Sequence, residues 1–236
     1  MKAVILCAGE GERLKPLTET IPKPLILIGN NPILYYILSS IPKDVRDVFI
    51  VIQDKHLRLF KNFLDNYNFD FKVKIIIQDL NKKGTYFALM VATDFLKKED
   101  KFLVLNGDDI FLKEDIEKII KMPAPTYGII FKKLDKRYRT CDLDEKNKKI
   151  ISFRKQKEEE YNKNIPCFSG VFTLTNNFLS YEPVYYEQGE AGIPHTLFAN
   201  TSNVSFVILK EWLQINTLED LKIAQKFIDH QQYLFQ

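Results

Sequence analysis

Short apolar runs alternate with longer amphipathic stretches through the first half of the chain. The runs cover residues 4–7, 48–52, 73–77 and 102–105. Each is too brief for a helix, and apolar residues at consecutive positions predict strands buried on both faces. Between them, residues 32–40, 55–66 and 85–96 carry helical patterning. This β-α-β-α alternation predicts an α/β doubly wound unit, whose ligands sit at the carboxyl ends of parallel strands. After Pro123 the texture changes. Residues 126–132, 149–153, 165–174 and 204–209 read as strands with fewer helices between them. The stretch 132–163 is dense in Lys and Glu, which predicts a solvated ribbon or flap. A closing helix is expected from about Leu218. Thr217, followed by Glu219 and Asp220, offers an N-cap and an acidic first turn, and Leu218, Leu221, Ala224, Phe227 and Ile228 form an apolar stripe. The expected architecture is one domain over residues 1–236, with a mostly parallel mixed sheet and a small antiparallel insertion.

Composition narrows the function. With 34 basic and 31 acidic residues the net charge is only +3, against the clustered basic excess of a dedicated nucleic-acid binder. Cys7, Cys141 and Cys167 are far apart and follow neither a zinc spacing nor a disulfide framework, so reduced thiols in a cytoplasmic chain are expected. No stretch approaches the roughly 18 apolar residues of a membrane span. The opening run is too short for a signal-peptide core and meets Glu10, Glu12 and Arg13 at once. Neither nucleic acid nor membrane is expected as a partner. His56, His195 and His230 lack metal-like spacing and read as surface or structural residues.

The opening, MKAVILCAGEGERLKPLTETIPKPLI, places two of nine glycines directly after the first apolar run, followed by three prolines. A dinucleotide fingerprint would need a third glycine where Leu14 stands, and Pro16 interrupts the helix it should open. A Walker A loop fails because no G-K-[ST] follows. Two readings remain. One is an extended loop whose backbone wraps a nucleotide, its glycines allowing close approach and its prolines holding it open, with Arg13 and Lys23 turned to phosphates. The other is a glycine turn and proline-rich connection without a ligand.

Taken whole, residues 8–18 (AGEGERLKPLT) and 22–25 (PKPL) resemble the signature of the sugar-1-phosphate nucleotidyltransferases, G-x-G-x-R-L-x-P-L-T followed by P-K-P-L. Lys83-Gly84-Thr85 with Ala88-Leu89, Asn106-Gly107-Asp108, Ser169-Gly170-Val171-Phe172 and residues 212–221 continue the resemblance along the chain. It implies a nucleotide-diphospho-sugar transferase-like fold, in a compact form without a C-terminal β-helix. Residues 1–121 would form a nucleotide-binding half and residues 122–236 a sugar-phosphate-binding half. The implied reaction joins a nucleoside triphosphate to a sugar 1-phosphate and expels pyrophosphate. Ala8, Gly9, Glu10, Gly11 and Gly84 would cradle the nucleotide. Arg13 would hold the departing pyrophosphate, Lys23 would sit between the α-phosphate and the incoming phosphate, and Asp108 would hold Mg²⁺. Gln78 ends a strand before Gly84 and reads either as a base contact or as a plain polar terminus. Lys155 would meet the sugar phosphate, and Gly170 lies on the matching substrate-pocket strand. A homo-oligomer is compatible with the resemblance.

Two departures stand out. Gln214 occupies the position of the family's second metal aspartate, and as a former ligand its side chain is expected to point into the cleft. Mg²⁺ would then rest on Asp108 and the triphosphate alone, gain help from Asp109, or leave catalysis impaired. Arg154 replaces the glutamate that usually binds sugar hydroxyls, with Glu190 as a candidate substitute. Two further functions fit the departures: a cytidylyltransferase for a non-sugar phosphate of the phosphocholine or inositol phosphate type, and a catalytically impaired nucleotide-binding subunit.

Overall fold

The computed structural model describes residues 1–79, 82–133, 138–186 and 189–231. The chain opens with β1 (Lys2–Leu6), passes a loop of short 3₁₀ turns, and forms a small hairpin of β2 (Leu27–Ile28) and β3 (Asn31–Pro32) before α1 (Ile33–Ser39). There follow β4 (Asp47–Ile52), α2 (Leu57–Asn66), β5 (Lys72–Ile77), α3 (Thr85–Met90), α4 (Thr93–Leu96) and β6 (Lys101–Asn106). Next come β7 (Asp109–Phe111), α5 (Lys113–Lys121) and β8 (Thr126–Lys132). The charged stretch holds β9 (Arg139–Thr140), β10 (Leu143–Asp144), β11 (Lys149–Ile150) and β12 (Arg154–Lys155). The chain continues through β13 (Ile165–Thr175), α6 (Ile193–Asn200), β14 (Val204–Ile208), β15 (Trp212–Gln214) and α7 (Leu218–Gln231).

The main sheet runs β10-β11-β14-β8-β13-β6-β1-β4-β5. Parallel pairing joins β5, β4, β1 and β6, whereas β13 lies antiparallel to both β6 and β8. The mixed, mostly parallel sheet and its antiparallel insertion are as expected. The apolar runs divide by period two between two cores. Ala3, Ile5, Val48, Ile50, Ile52, Leu103 and Leu105 face one side, with α1, α2, α5 and α7 packed on it. Val4, Phe49, Val51, Phe102 and Val104 face the other, beneath α3, α4 and α6. Burial on both faces is why these strands read as unbroken apolar runs.

Several boundaries differ from expectation. The helix over 85–96 is two, because Ala92 bonds back to Leu89 and Phe95 to Ala92 in a tighter turn that breaks the α ladder. The strand over 149–153 shortens to two residues. The proline-rich loop is wound rather than extended, with 3₁₀ turns at Glu12–Leu14, Leu17–Glu19 and Lys23–Leu25; proline's fixed φ suits such turns as well as extended chain. Two features beyond the predicted elements position the site. The β7–β15 ribbon pairs Asp109 with Gln214 and Phe111 with Trp212. Asp115 of α5, fully buried, accepts the Lys210 N–H at 2.7 Å and pairs with Lys118 at 2.9 Å, which pins the entry to that ribbon.

Candidate functional site

A cavity of about 640 Å³ opens at the carboxyl ends of β1, β4, β5 and β6, where an open α/β sheet places its ligands. The loop after β1 supplies Ala8, Gly9, Glu10, Gly11, Glu12 and Arg13; the lining also includes Lys23, Gln53, Gln78, Lys82, Lys83, Gly84, Asn106, Gly107, Asp108, Glu190 and Asn216. A Cβ on Gly9 would meet no atom within 4 Å, so this backbone faces open space. Gly11 adopts φ 67°, and its carbonyl accepts the Thr18 hydroxyl at 2.9 Å, which folds the loop back on itself. Gln53 fixes the loop from the next strand, donating to the Ala8 carbonyl at 2.7 Å and to Glu10 at 3.0 Å. Burial raises the Glu10 carboxyl, but hydrogen bonds from Lys55 and Gln53 outweigh it and leave the pKa lowered.

The floor carries a charged triad. Lys23 Nζ lies 2.5 Å from Asp108 Oδ2 and 3.0 Å from Asn216 Oδ1. Asn216 in turn donates from Nδ2 to the Tyr138 hydroxyl at 3.2 Å, and its backbone N–H is held by Asp220 at 2.8 Å. Beside them the strand ends pack tightly: a Cβ on Gly107 would come within 2.7 Å of the Leu6 carbonyl. Burial, then the charge of Asp108, pushes the Cys7 thiol well up, so it stays protonated and is no nucleophile. Among the described residues no carboxylate pairs with Arg13 or Lys83, leaving two uncompensated cations on the cavity rim. Two cations above a glycine loop suit a polyanion.

The cavity brings together Ala8, Gly9, Glu10, Gly11, Arg13, Lys23, Gln78, Gly84, Asp108 and Glu190. Gln78 is buried and donates to the Lys82 carbonyl at 3.2 Å. Glu190 accepts the Tyr186 hydroxyl at 2.7 Å. Lys155 and Gly170 do not line the cavity. Lys155 is exposed on β12. Gly170 sits in a bulge of β13, where any Cβ would strike the Asp109 and Asn106 side chains. Arg154 is clamped by Glu160 at 2.8 Å and Asp142 at 3.0 Å. The expectation for Gln214 is corrected: it is absent from the cavity wall, and its Oε1 is buried without a hydrogen-bond partner among the described residues. The Ile215 N–H bonds the Asp108 carbonyl at 3.0 Å, and the next side chain, Asn216, accepts from Lys23 at 3.0 Å. Of the histidines, His195 stacks on Tyr186, His56 is half-buried and His230 is exposed.

Sequence reasoning missed Gln53, Lys82 and Asn216. Only Asn216 carried a signal, its place within residues 212–221, which continue the resemblance.

Residues 2–231 match the model of the nucleotidyl transferase family, and the chain belongs to that family. It is 35% identical over 179 residues to the bifunctional protein GlmU of Methanococcus maripaludis, across 75% of this chain and 41% of that relative. The chain thus spans about two fifths of the length of such relatives, 41% for this one. It is 30% identical to the D-glycero-alpha-D-manno-heptose 1-phosphate guanylyltransferase of Campylobacter jejuni, across 80% of this chain and 84% of that one. In fold it is similar to the inositol-1-phosphate CTP transferase from T. maritima, with a TM-score of 0.80 at 16% identity, covering 97% of this chain and 94% of that one. No helix among the described residues is long and apolar enough to cross a membrane.

Proposed function

We propose that the chain transfers a nucleotidyl group from a nucleoside triphosphate to a sugar 1-phosphate, releasing pyrophosphate and an NDP-sugar. The observation that carries this reading is the convergence, at the carboxyl ends of the strands, of the glycine loop, the uncompensated Arg13 and the Lys23–Asp108 pair. Both reactants are anions, so binding them together requires fixed positive charge and in-line positioning. Open backbone at Gly9 admits the triphosphate, and Arg13 neutralises the pyrophosphate as it leaves. Lys23 bridges the α-phosphate and the attacking phosphate oxygen. Gln78 and Gly84 border the base, and Glu190 accepts a hydroxyl of the acceptor.

Asp108 is the residue that would hold Mg²⁺. Among the described residues no three His, Cys, Asp or Glu side chains gather into a metal cage. One carboxylate completed by substrate phosphates is the donor set Mg²⁺ commonly uses, so the residues fit the ion. Bound there, it would neutralise phosphate charge.

Relatives of this chain include a heptose 1-phosphate guanylyltransferase and, at 26% identity across 96% of the chain, a bifunctional IPC transferase and DIPP synthase of Archaeoglobus fulgidus. A second reading, transfer to inositol phosphate or another non-sugar phosphate, is favoured by one observation. Arg154 stands where the resemblance expects a carboxylate for sugar hydroxyls, and it is occupied by Asp142 and Glu160.

The test is a matrix of the nucleoside triphosphates against sugar 1-phosphates, inositol 1-phosphate and phosphocholine, reading pyrophosphate release and product mass. One productive pair is expected, and Lys23→Ala should lower its kcat/KM by roughly 10²–10³-fold, as for loss of a preorganised charge. Absence of turnover across the matrix, or normal turnover by Lys23→Ala, would refute the reading.

A further inference from the structure

We infer that a second cavity, separated from the first by the start of α3, is a site for a flat aromatic anion. It measures about 580 Å³, within the usual size range of small-molecule sites. Thr85 and Ala88 line the substrate cavity. Phe87 and Met90, each two positions further on and so on the opposite face of α3, line the second. Tyr185, from the segment before α6, completes an aromatic trough: its ring lies 6.2 Å from that of Phe87, and it is 59% exposed. Tyr86 contributes its ring alone, because its hydroxyl already donates to the Tyr181 carbonyl at 2.6 Å. Charge enters with Lys82 and Lys83, both exposed and neither ion-paired among the described residues; Lys82 Nζ stands 5.3 Å from the centre of the Phe87 ring. Glu182 is the one carboxylate among the described lining residues, so the lining keeps a positive balance. Aromatic side chains take a flat ring by stacking, and ammonium groups beside them take a negative charge at its edge.

The strip between the two cavities is held by its backbone. Gln78 donates to the Lys82 carbonyl at 3.2 Å, the Ala191 N–H to the Lys83 carbonyl at 3.1 Å, and the Tyr86 N–H to the Ala191 carbonyl at 3.0 Å. Thr85 Oγ1 accepts the Ile193 N–H at 3.1 Å. The main chain at Lys82 and Lys83 is thus fixed, while their long flexible side chains line both cavities. An ammonium engaged by an anion on one side is lost to an anion on the other. Resting on the proposed reading of the substrate cavity, the aromatic anion and the triphosphate compete for the same two cations, so each weakens the other. The second cavity acts by this route as an inhibitory site, with no change of fold required.

The experiment is isothermal titration calorimetry on the intact chain, with naphthyl phosphate, naphthoate, naphthol and inorganic phosphate as probes. Naphthyl phosphate supplies both ring and charge and should bind at a single site. Naphthol and inorganic phosphate each lack one of the two and should bind at least about tenfold more weakly. Naphthoate separates a carboxylate ligand from a phosphate one, by which of the two aromatic anions binds tighter. Tyr185→Ala and Lys82→Gln alter exposed side chains, so the fold is not at risk, and each should weaken naphthyl phosphate by about fivefold. Arg13→Gln, confined to the substrate cavity, should leave that binding unaltered. Inorganic tripolyphosphate, an anion without a ring, should weaken naphthyl phosphate by about fivefold through the shared lysines. Absence of saturable binding by either aromatic anion below about 1 mM would overturn the site. So would a loss confined to Arg13→Gln, which places the probe in the substrate cavity, or inorganic phosphate binding as tightly as naphthyl phosphate. Indifference of naphthyl phosphate to bound tripolyphosphate would overturn the shared cations. Tripolyphosphate that does not bind at all would count against the reading of the substrate cavity, and the Tyr185 and Lys82 variants would still decide the second site.

Discussion

Asp220 joins the stability of the last helix to the geometry of the cavity, and Asp220→Ala separates the two. Its Oδ2 accepts the N–H groups of Asn216 at 2.8 Å and Thr217 at 2.7 Å, while its own N–H donates to Thr217 Oγ1 at 3.2 Å. This is a reciprocal cap at the start of α7. Truncation removes the cap, a loss of about 0.5–2 kcal/mol. It also strands the N–H of Asn216, a residue only 2% exposed; an unsatisfied buried donor costs about 1–3 kcal/mol. The two overlap, and water reaches part of the turn, so about 2 kcal/mol is the expected total. In a domain of this size each 1 kcal/mol moves Tm by roughly 2–4 °C, so Tm should fall by about 4–8 °C. Asp220→Asn keeps an acceptor and should recover about half of that loss. Because Asn216 also holds Lys23, Asp220→Ala should lower kcat on the productive substrate pair even well below its Tm. Differential scanning calorimetry and steady-state kinetics at 20 °C below the variant's Tm (about 20 °C suffices to keep it folded) check the two halves. A Tm within about 1 °C of the parent, less than the smallest cap loss predicts, would refute the cap as a determinant of this end of the fold.

Gly84→Ala should abolish triphosphate binding and lower Tm, because φ +106° is hostile to a side chain and the new Cβ would meet the backbone of Ala191; normal binding by calorimetry would refute this. The Arg154 clamp should stabilise the flap in a pH-dependent way. Hydrogen bonds from Arg154 hold Asp142 and Glu160 at about 2 in the fold, from 3.8 and 4.5. Their folded pKa values are depressed, so the stabilisation is complete above the unfolded values and disappears as pH falls through the folded ones. The Tm gap between parent and Arg154→Met should therefore be constant from about pH 7 to 5 and close toward pH 2; a gap unaffected by acid would refute the clamp. Cys7, its thiol raised by burial and by Asp108, should resist iodoacetamide at pH 8 (about where a free thiol begins to react) until the protein unfolds, as read by peptide mass.

What the sequence disclosed, and what it withheld, divides along physical lines. The central strands were legible because burial on two faces leaves no polar position to obscure them, as in Ala3, Val4 and Ile5. Helix α5 has Ile116, Ile119 and Ile120 on one side, yet nine residues set among lysines and glutamates give a weak stripe. The three-residue strands β7 and β15 have no periodicity to detect and exist because each pairs with the other. The glycine loop was legible by spacing, whereas its winding was not, since proline restricts φ without choosing between open chain and a 3₁₀ turn. Lys23 meets Asp108 across 85 positions and Asn216 across 193, contacts that only the folded sheet creates. Gln214 and Asn216 illustrate the limit most sharply. They lie two residues apart, on a strand and the turn that follows it, and only Asn216 lines the cavity, which residue type alone does not disclose.

The charges at the glycine loop and at β12 are arranged in opposite ways, and this bears on the proposed acceptor. At the glycine loop Glu10 is engaged by Lys55 and Glu12 by Lys15, so these carboxylates are compensated, and the proposed reading leaves Arg13 to the triphosphate. Away from the cavity wall, on β12, the cation itself is compensated: Arg154 is held between two carboxylates. Glu190, bonded to Tyr186, lines the cavity and is the group proposed to meet the acceptor. A carboxylate backed by a phenol orients hydroxyls and repels a second phosphate. An acceptor with several hydroxyls and one phosphate, whether sugar or inositol, satisfies both demands, whereas phosphocholine offers no hydroxyl to Glu190. Glu190→Gln should accordingly raise KM for the hydroxylated acceptor while leaving KM for the triphosphate unchanged, and a rise confined to the triphosphate would overturn that placement.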